Sequence, residues 1–145
     1  MKIIALLLCL IGASAMASPL GEIDAVGVHL VSRHAPDPGV NNVNLGAYVR
    51  TSQGWTAGTY WNTYNRPTVY AGWTTPEWYR LSATVAVGTG YEKHQAPQLE
   101  RGLSLLVAPT VRLFSIQQTD FKLVYVPKIN HDNLEVYHLI AERSF

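Results

Sequence analysis

Cysteine, charge and long hydrophobic runs are all scarce in this 145-residue sequence. There is 1 cysteine, and charged residues make up 14% of the chain, with a formal net charge of +1. A soluble domain ordinarily has about 25% charged residues, so the low value argues against a disordered chain and against a nucleic-acid binder with a basic surface. No apolar segment reaches the ~20 residues that a transmembrane helix requires. Any insertion into a membrane must therefore use strands.

Residues 1–17 have the pattern of a secretory signal. Lys2 precedes a short apolar run, and the segment closes on an Ala-x-Ala sequence of small residues. We predict cleavage before Ser18 and a single domain over 18–145. Removal of the signal also removes Cys9, so the mature domain is held together without disulfides.

The rest of the chain has the composition of strands. Gly, Thr, Val, Tyr and Trp recur throughout, and beyond residue 24 no apolar stretch keeps a 3.6-residue spacing over the length of a helix. Turn signals separate eight predicted strands, over 25–34, 44–52, 56–62, 68–74, 79–91, 103–115, 121–127 and 134–145. The predicted fold class is therefore all-β.

The connections between the predicted strands alternate in character. Long polar segments follow the first, third, fifth and seventh strands, whereas short turns follow the second, fourth and sixth. This asymmetry is typical of an eight-stranded antiparallel up-and-down β-barrel of the outer-membrane type. A soluble up-and-down barrel such as a lipocalin also has eight strands and is the alternative.

Residue alternation predicts which side chains face outward. In the fifth strand, small and polar residues alternate with a predicted lipid-facing stripe of Leu81, Ala83, Val85 and Val87. Aromatic residues near strand ends predict a membrane-interface girdle that contains Trp55, Trp78, Tyr79 and Tyr91. The alternative is that these aromatics belong to the core.

Two prolines fall in adjacent predicted strands. Pro109 interrupts the sixth strand and Pro127 ends the seventh, and neither has an N–H to donate to a ladder. A closed barrel has no free edge, so these prolines predict weak pairing between the two strands, where a lipid tail can enter sideways. The alternative places one or both at a rim, outside the ladder.

Strong signatures of cysteine nucleophiles, metal clusters and phosphate-binding loops are absent, so no cofactor or metal is predicted. The ends of the first, third, fifth and seventh strands lie at the same end of the predicted barrel. The polar residues expected at this long-loop end are His34, Asn62, Thr63, Tyr64, Asn65, His94, His131 and Asp132. A histidine beside a hydroxyl can act as base and nucleophile in acyl transfer. Solvated loop side chains are the alternative.

Several segments resemble the outer-membrane lipid A palmitoyltransferase family. They are GTYWNTYNRPTVYAGW, LSATVAVGTG, LLVAPTVRL, LVYVPKINHDNLEVYHL and the terminal Phe145. The resemblance covers strands three to eight and, more loosely, the first two. It implies a barrel whose lumen holds one acyl chain, taken from a phospholipid through a lateral opening at Pro109 and Pro127 and passed to lipid A. The implied partners are phospholipid, lipid A and the membrane, without nucleic acid, and the expected state is a monomer.

The family's catalytic group is a histidine near the outer end of strand one and an Asp-Ser pair after strand three. Here the resemblance places them at His34, with His29 as the alternative, and at Asn62-Thr63. The implied roles are general base for His34, hydroxyl donor or nucleophile for Thr63, and orientation of the imidazole for Asn62. Asn62 lacks the charge of an aspartate, and Thr63 adds a methyl group.

The chain lacks the family's N-terminal amphipathic helix, because only SPLGEID separates the predicted cleavage site from the first strand. A reduced barrel of this kind fits three functions. The first is an outer-membrane enzyme that transfers or removes an acyl chain on lipid A. The second is a non-catalytic outer-membrane barrel, for instance phage-encoded, that binds lipid or occludes a surface receptor. The third is a secreted lipocalin-like binder.

Overall fold

The computed structural model describes residues 19–36, 39–93, 95–128 and 134–145. The predicted signal peptide and three polar candidates, His94, His131 and Asp132, lie outside these ranges. Among the residues that the structure describes, no helix is long and apolar enough to cross a membrane.

Eight antiparallel strands form a closed barrel. They are β1 (Ile23–Ala35), β2 (Val43–Thr51), β3 (Trp55–Trp61), β4 (Pro67–Thr74), β5 (Leu81–Gly88), β6 (Ser104–Ile116), β7 (Thr119–Val126) and β8 (Glu135–Ser144). Each strand pairs with its neighbours in sequence, and β8 closes the barrel on β1. A single 3₁₀ turn, Glu100–Gly102, precedes β6 within the described part of the chain. The predicted all-β, eight-stranded up-and-down barrel is confirmed.

The two ends of the barrel differ as the connections predict. The long-loop rim carries the described residues of the connections after β1, β3, β5 and β7, and the short-turn rim carries 52–54, 75–80 and 117–118. At the short-turn rim, Gln117 and Gln118 both have positive φ, as a two-residue hairpin turn requires. Tyr79 and Arg80 also have positive φ and therefore belong to a turn. The fifth strand consequently begins at Leu81 and not, as predicted, at residue 79.

The outer face of the barrel is apolar. Leu45 and Val69 are 59% and 61% exposed, and Leu81 and Val85 are exposed on the same face, whereas Ala86 is buried in the lumen. These side chains alternate because successive strand residues point to opposite faces of the sheet. An apolar exterior around a lumen of smaller and polar side chains fits a barrel of the outer-membrane type.

Three of the four aromatics predicted for a girdle lie on the outside of the barrel at one rim, and the fourth does not. Trp55, Trp78 and Tyr79 are exposed at the short-turn rim. Tyr91 instead lines the lumen, and its hydroxyl lies 2.6 Å from the hydroxyl of Tyr60. Gly90, at φ +86°, turns the chain inward just before Tyr91, a conformation that favours glycine.

A bulge in β1 brings two histidines to the same side of the strand. The register with β8 shifts between His29 and Ser32, and the register with β2 shifts between His29 and Val31. In a regular strand, residues five apart face opposite sides, but the extra residue of a bulge reverses this relation. His29 and His34 are therefore both buried inside the barrel.

The ladder between β6 and β7 is incomplete at the long-loop rim. Its register extends from the short-turn rim only as far as Thr110, opposite Val124. Beyond that point, β6 continues to pair with β5, and β7 continues to pair with β8. Pro109 immediately precedes Thr110, and Pro127 immediately follows β7. The two prolines thus flank a gap, here called the β6–β7 gap.

Candidate functional site

The end of β1 and the connection after β3 meet at the long-loop rim. The His34 Nε2 and Thr63 Oγ1 atoms are 2.8 Å apart, within hydrogen-bond distance. His34 is 2% exposed and Thr63 is 9% exposed, so this contact is shielded from bulk water. Two residues singled out from the sequence are therefore brought into the geometry of a base and a hydroxyl.

The other nitrogen of the His34 ring faces Asn42. The Asn42 Oδ1 atom accepts a hydrogen bond from Nδ1 at 2.6 Å. An amide oxygen can only accept, so Nδ1 carries the proton and Nε2 presents a lone pair to the Thr63 hydroxyl. Thr63, His34 and Asn42 thus form a hydroxyl–imidazole–amide chain, here called the rim triad.

The expected contact between Asn62 and the imidazole is not formed. Asn62 is fully buried, and its Nδ2 donates to the Gly90 carbonyl at 2.9 Å and to Thr68 Oγ1 at 3.2 Å. Its Oδ1 accepts the backbone N–H groups of Tyr64 and Arg66. The amide oxygen is therefore used within the connection itself, and the amide nitrogen ties the connection to β4 and to the segment after β5. Asn62 fixes the backbone of the residue next to it, Thr63, and Asn42 has the orienting role that the sequence assigned to Asn62.

Backbone contacts hold the rim triad together. The Asn41 N–H donates to the Thr63 carbonyl at 3.1 Å, and the Asn41 side chain donates to the Asn62 carbonyl at 3.3 Å. The Ser32 N–H donates to the Asn42 carbonyl at 2.8 Å. The segment before β2 is thereby attached both to the Thr63 connection and to β1. Each member of the triad is held by a different part of the barrel wall.

A cavity of about 190 Å³ lies inside the barrel below the triad. Thr63 lines its upper part, while the β5–β8 side contributes apolar side chains such as Ala86, Leu106 and Ile140. The opposite side is polar, with His29 and three tyrosines, Tyr48, Tyr60 and Tyr70. The lumen is thus a slot between an apolar and a hydrogen-bonding wall.

No family model, curated protein or solved structure matches this chain. The assignment of function therefore depends on the chemistry of the rim triad and of the cavity beneath it.

His29, the alternative to His34, lies deeper in the lumen. Its Nδ1 is 2.9 Å from the Nε2 of His138, and its Nε2 is 3.0 Å from the hydroxyl of Tyr70. Neither ring nitrogen contacts Thr63. The geometry therefore favours His34 as the partner of the hydroxyl and places His29 in a separate polar cluster.

Charged residues fill the lumen toward the short-turn rim. Glu142 Oε1 lies 2.6 Å from Lys122 Nζ and 3.2 Å from Arg50, and its Oε2 accepts the Tyr48 hydroxyl at 2.8 Å. Lys122 and Glu142 are both buried. Asp24 lies 3.7 Å from Arg50 and supplies the second carboxylate, so this group, called here the lumen floor, balances its own charge at the lower end of the cavity.

Burial also affects the tyrosine at the long-loop rim. It raises the pKa of the Tyr91 phenol well above its usual value, so the group stays protonated and able to donate a hydrogen bond.

Within the described ranges, no three His, Cys, Asp or Glu side chains come together as a metal site would require.

Two residues of these contacts, Asn42 at the rim and His138 in the lumen, are not among the candidates predicted from the sequence. Asn42 belongs to an Asn-Asn-Val-Asn stretch just before the second strand, at the same rim as His34, and this concentration of amides was the available signal. His138 alternates with Val136 and Ile140 on the inward face of β8, and the period of two could have identified it.

Proposed function

We propose that this protein is an outer-membrane enzyme that transfers or removes an acyl chain on lipid A at the outer leaflet. The observation that carries the proposal is the rim triad at the mouth of a partly apolar slot in a closed barrel. Long loops lie on the extracellular side of outer-membrane barrels, so the triad faces the outer leaflet. The proposed partners are phospholipid and lipid A.

In the proposed reaction, Thr63 Oγ1 attacks the ester carbonyl of the acyl chain while His34 Nε2 takes the hydroxyl proton. The bond to the leaving lipid alcohol breaks, and His34 returns the proton to that oxygen. The acyl group is then an ester of Thr63. An acceptor hydroxyl of lipid A, or water, loses its proton to His34 and attacks this ester, which regenerates Thr63. Asn42 keeps the imidazole in the tautomer that both steps need.

The β6–β7 gap supports lateral access for the acyl chain. The cavity is lined by Leu106 and Ala108, which face the lumen, and also by Leu105 and Val107, which alternate with them on the outer face of β6. Because residues from both faces of β6 line it, the cavity extends around β6 at the gap, where β6 is not paired with β7. The proposed path therefore leads from the outer leaflet through the β6–β7 gap into the slot.

The direct test is mass spectrometry of lipid A from Gram-negative cells that express the chain. Thr63→Val keeps the shape of the side chain and removes the hydroxyl, so we expect lipid modification to fall by at least ~10²-fold. Thr63→Ser keeps the hydroxyl and should retain modification. The barrel of each variant is checked by its heat-dependent mobility in SDS gels.

If wild-type cells show unmodified lipid A, the catalytic proposal fails and the non-catalytic lipid-binding barrel replaces it. Fractionation of the same cells tests the location separately. Recovery of the folded chain with the outer membrane is expected, because its exterior presents apolar side chains all around. Recovery in the soluble periplasm or medium would favour the lipocalin-like binder.

A further inference from the structure

Tyr70, His29 and His138 form a hydrogen-bonded row of side chains in the lumen, here called the file. Tyr70, His29 and His138 come from β4, β1 and β8, and the two contacts between them measure 3.0 Å and 2.9 Å. All three side chains line the cavity. Both ring nitrogens of His29 are used within the file. His138 uses only Nε2, and among the described residues no side chain or backbone group bonds its Nδ1.

The directions of the hydrogen bonds within the file determine whether Nδ1 of His138 is a free donor or a free acceptor. If the Tyr70 hydroxyl donates to His29, then His29 donates to His138, and the His138 proton lies on Nδ1 as a free donor. If His29 donates to Tyr70, then His138 donates to His29, and Nδ1 is a free acceptor. A neutral imidazole permits only these two arrangements. A hydroxyl group satisfies both, since it donates and accepts equally well.

The distance of His138 from the rim triad determines where along the acyl chain such a hydroxyl lies. In the β1–β8 register, His34 is opposite Val136 and Ser32 is opposite His138. His138 therefore lies two residues further into the barrel than the level of the catalytic base, about 6–7 Å along the strand. An acyl chain whose carbonyl lies at Thr63 passes this level within its first few carbons.

We propose that His138 is a recognition site for a hydroxyl group near the carboxyl end of the acyl chain, and that the slot prefers 3-hydroxyacyl over unsubstituted chains. The inference rests on the proposed function for the position of the carbonyl. An unsubstituted chain displaces water from Nδ1 and leaves a buried polar atom unpaired, which weakens binding. A 3-hydroxyl replaces the water and keeps the hydrogen bond. The apolar wall opposite accommodates the methylene groups in both cases.

Binding of free fatty acids to the full-length barrel in detergent tests this site without requiring turnover. The probes are dodecanoate, 3-hydroxydodecanoate and 12-hydroxydodecanoate, and the readout is titration calorimetry. We expect 3-hydroxydodecanoate to bind about tenfold or more tightly than dodecanoate. The 12-hydroxy isomer carries the same group at the far end of the chain and should show no such gain. Equal affinities of the 3-hydroxy and unsubstituted chains would overturn the inference.

Variants assign the preference to His138. His138→Leu should bind both chains with equal affinity, whereas His138→Gln, whose amide can donate and accept, should keep much of the preference. Tyr137→Phe is the matched control, because it removes a polar group from the neighbouring residue, whose side chain is 38% exposed on the outside. A preference that persists in His138→Leu overturns the assignment, and so does its loss in Tyr137→Phe. Should His138→Leu fail to fold, the wild-type affinities of 3-hydroxydodecanoate, dodecanoate and 12-hydroxydodecanoate still decide whether the slot prefers a hydroxyl near the carboxyl end, and equal affinities overturn the inference.

Thr63→Val separates this inference from the proposed function. It should abolish lipid modification and leave the preference for 3-hydroxydodecanoate intact. A hydroxylated chain can reach the slot as part of a phospholipid or as part of lipid A. Incubation of the wild-type barrel with a 3-hydroxyacyl phospholipid or with lipid A that carries a 3-hydroxyacyl ester distinguishes the two sources, since mass spectrometry identifies which lipid loses the chain.

Discussion

Asn42 and Asn62 have the same side chain, but Asn42 contacts the imidazole of the rim triad and Asn62 does not. The Asn42 amide oxygen accepts from His34, whereas the Asn62 oxygen accepts backbone N–H groups of its own connection and its nitrogen donates to the Gly90 carbonyl. One residue therefore orients the base and the other shapes the backbone that carries the hydroxyl. The difference should appear as separate effects on catalysis and on stability.

Asn42→Ala should lower lipid modification by about 10- to 100-fold, because His34 then loses the partner that fixes its tautomer. Asn62→Ala should instead lower the free energy of unfolding by about 1–3 kcal/mol, since buried backbone and hydroxyl groups lose their partners. Quantitative mass spectrometry measures the first and urea unfolding in detergent micelles the second. Asn42→Asp supplies a carboxylate in the same place and should retain activity. An Asn42→Ala variant as active as wild type would remove Asn42 from the triad.

At the scale of the strand, the β6–β7 gap depends on two residues that lack an N–H. β6 pairs with β7 from Thr110 to Ile116, except at a register shift, and with β5 from Ser104 to Val111, so the stretch from Ser104 to Pro109 has a partner on β5 alone. Each proline removes one N–H from its own strand, and the effect appears between strands, in the pairing of β6 with β7. The gap leaves part of the β6 edge without a β7 partner, next to both prolines.

Replacement of both prolines by valine should restore two donors and favour completion of the ladder. We expect Pro109→Val with Pro127→Val to slow lipid modification several-fold while it leaves the binding of free fatty acids, which can enter from the rim, nearly unchanged. Pro67→Val is the control, because Pro67 is an exposed proline at the start of β4, away from the gap. Hydrogen exchange of β6 and β7 amides checks that the gap has closed. Full activity with a closed gap would argue that lipid enters by another route.

For the whole molecule, the lumen floor decides whether the barrel is a slot or a pore. Glu142 is the shared partner of Lys122, Arg50 and Tyr48, so its removal takes the carboxylate from the buried Lys122 and leaves Arg50 with Asp24 alone. Small outer-membrane barrels fill their interior with side chains, and here that filling is ionic at one end and aromatic above it.

Glu142→Ala should lower the free energy of unfolding by about 3–5 kcal/mol, because it leaves buried charge uncompensated. The double variant Lys122→Met with Glu142→Gln removes one charge of each sign and should recover part of that loss. Urea unfolding followed by heat-dependent gel mobility measures both. A Glu142→Ala barrel with wild-type stability would indicate that water already solvates the floor.

The sequence by itself determined the strand count, the closure, the two unlike rims and the placing of His34 and Thr63 at the same rim. These follow from local rules: turn residues set the strand ends, alternation sets the faces, and antiparallel order brings the ends of strands one and three to the same rim. Tertiary structure alone decided which amide serves the imidazole. Asn42 and Asn62 are equally polar in sequence, and only the attachment of the segment before β2 to β1 and to the Thr63 connection brings Asn42 to His34.

The β1 bulge is the second feature that local rules could not supply. Strict alternation places His29 and His34 on opposite faces, yet the extra residue between His29 and Ser32 brings both into the lumen. A bulge depends on how two neighbouring strands fit the inserted residue, which is a property of the closed sheet and not of the segment. The bulge also allows the file of Tyr70, His29 and His138 to form below the rim triad, since it joins strands that lie far apart in the sequence.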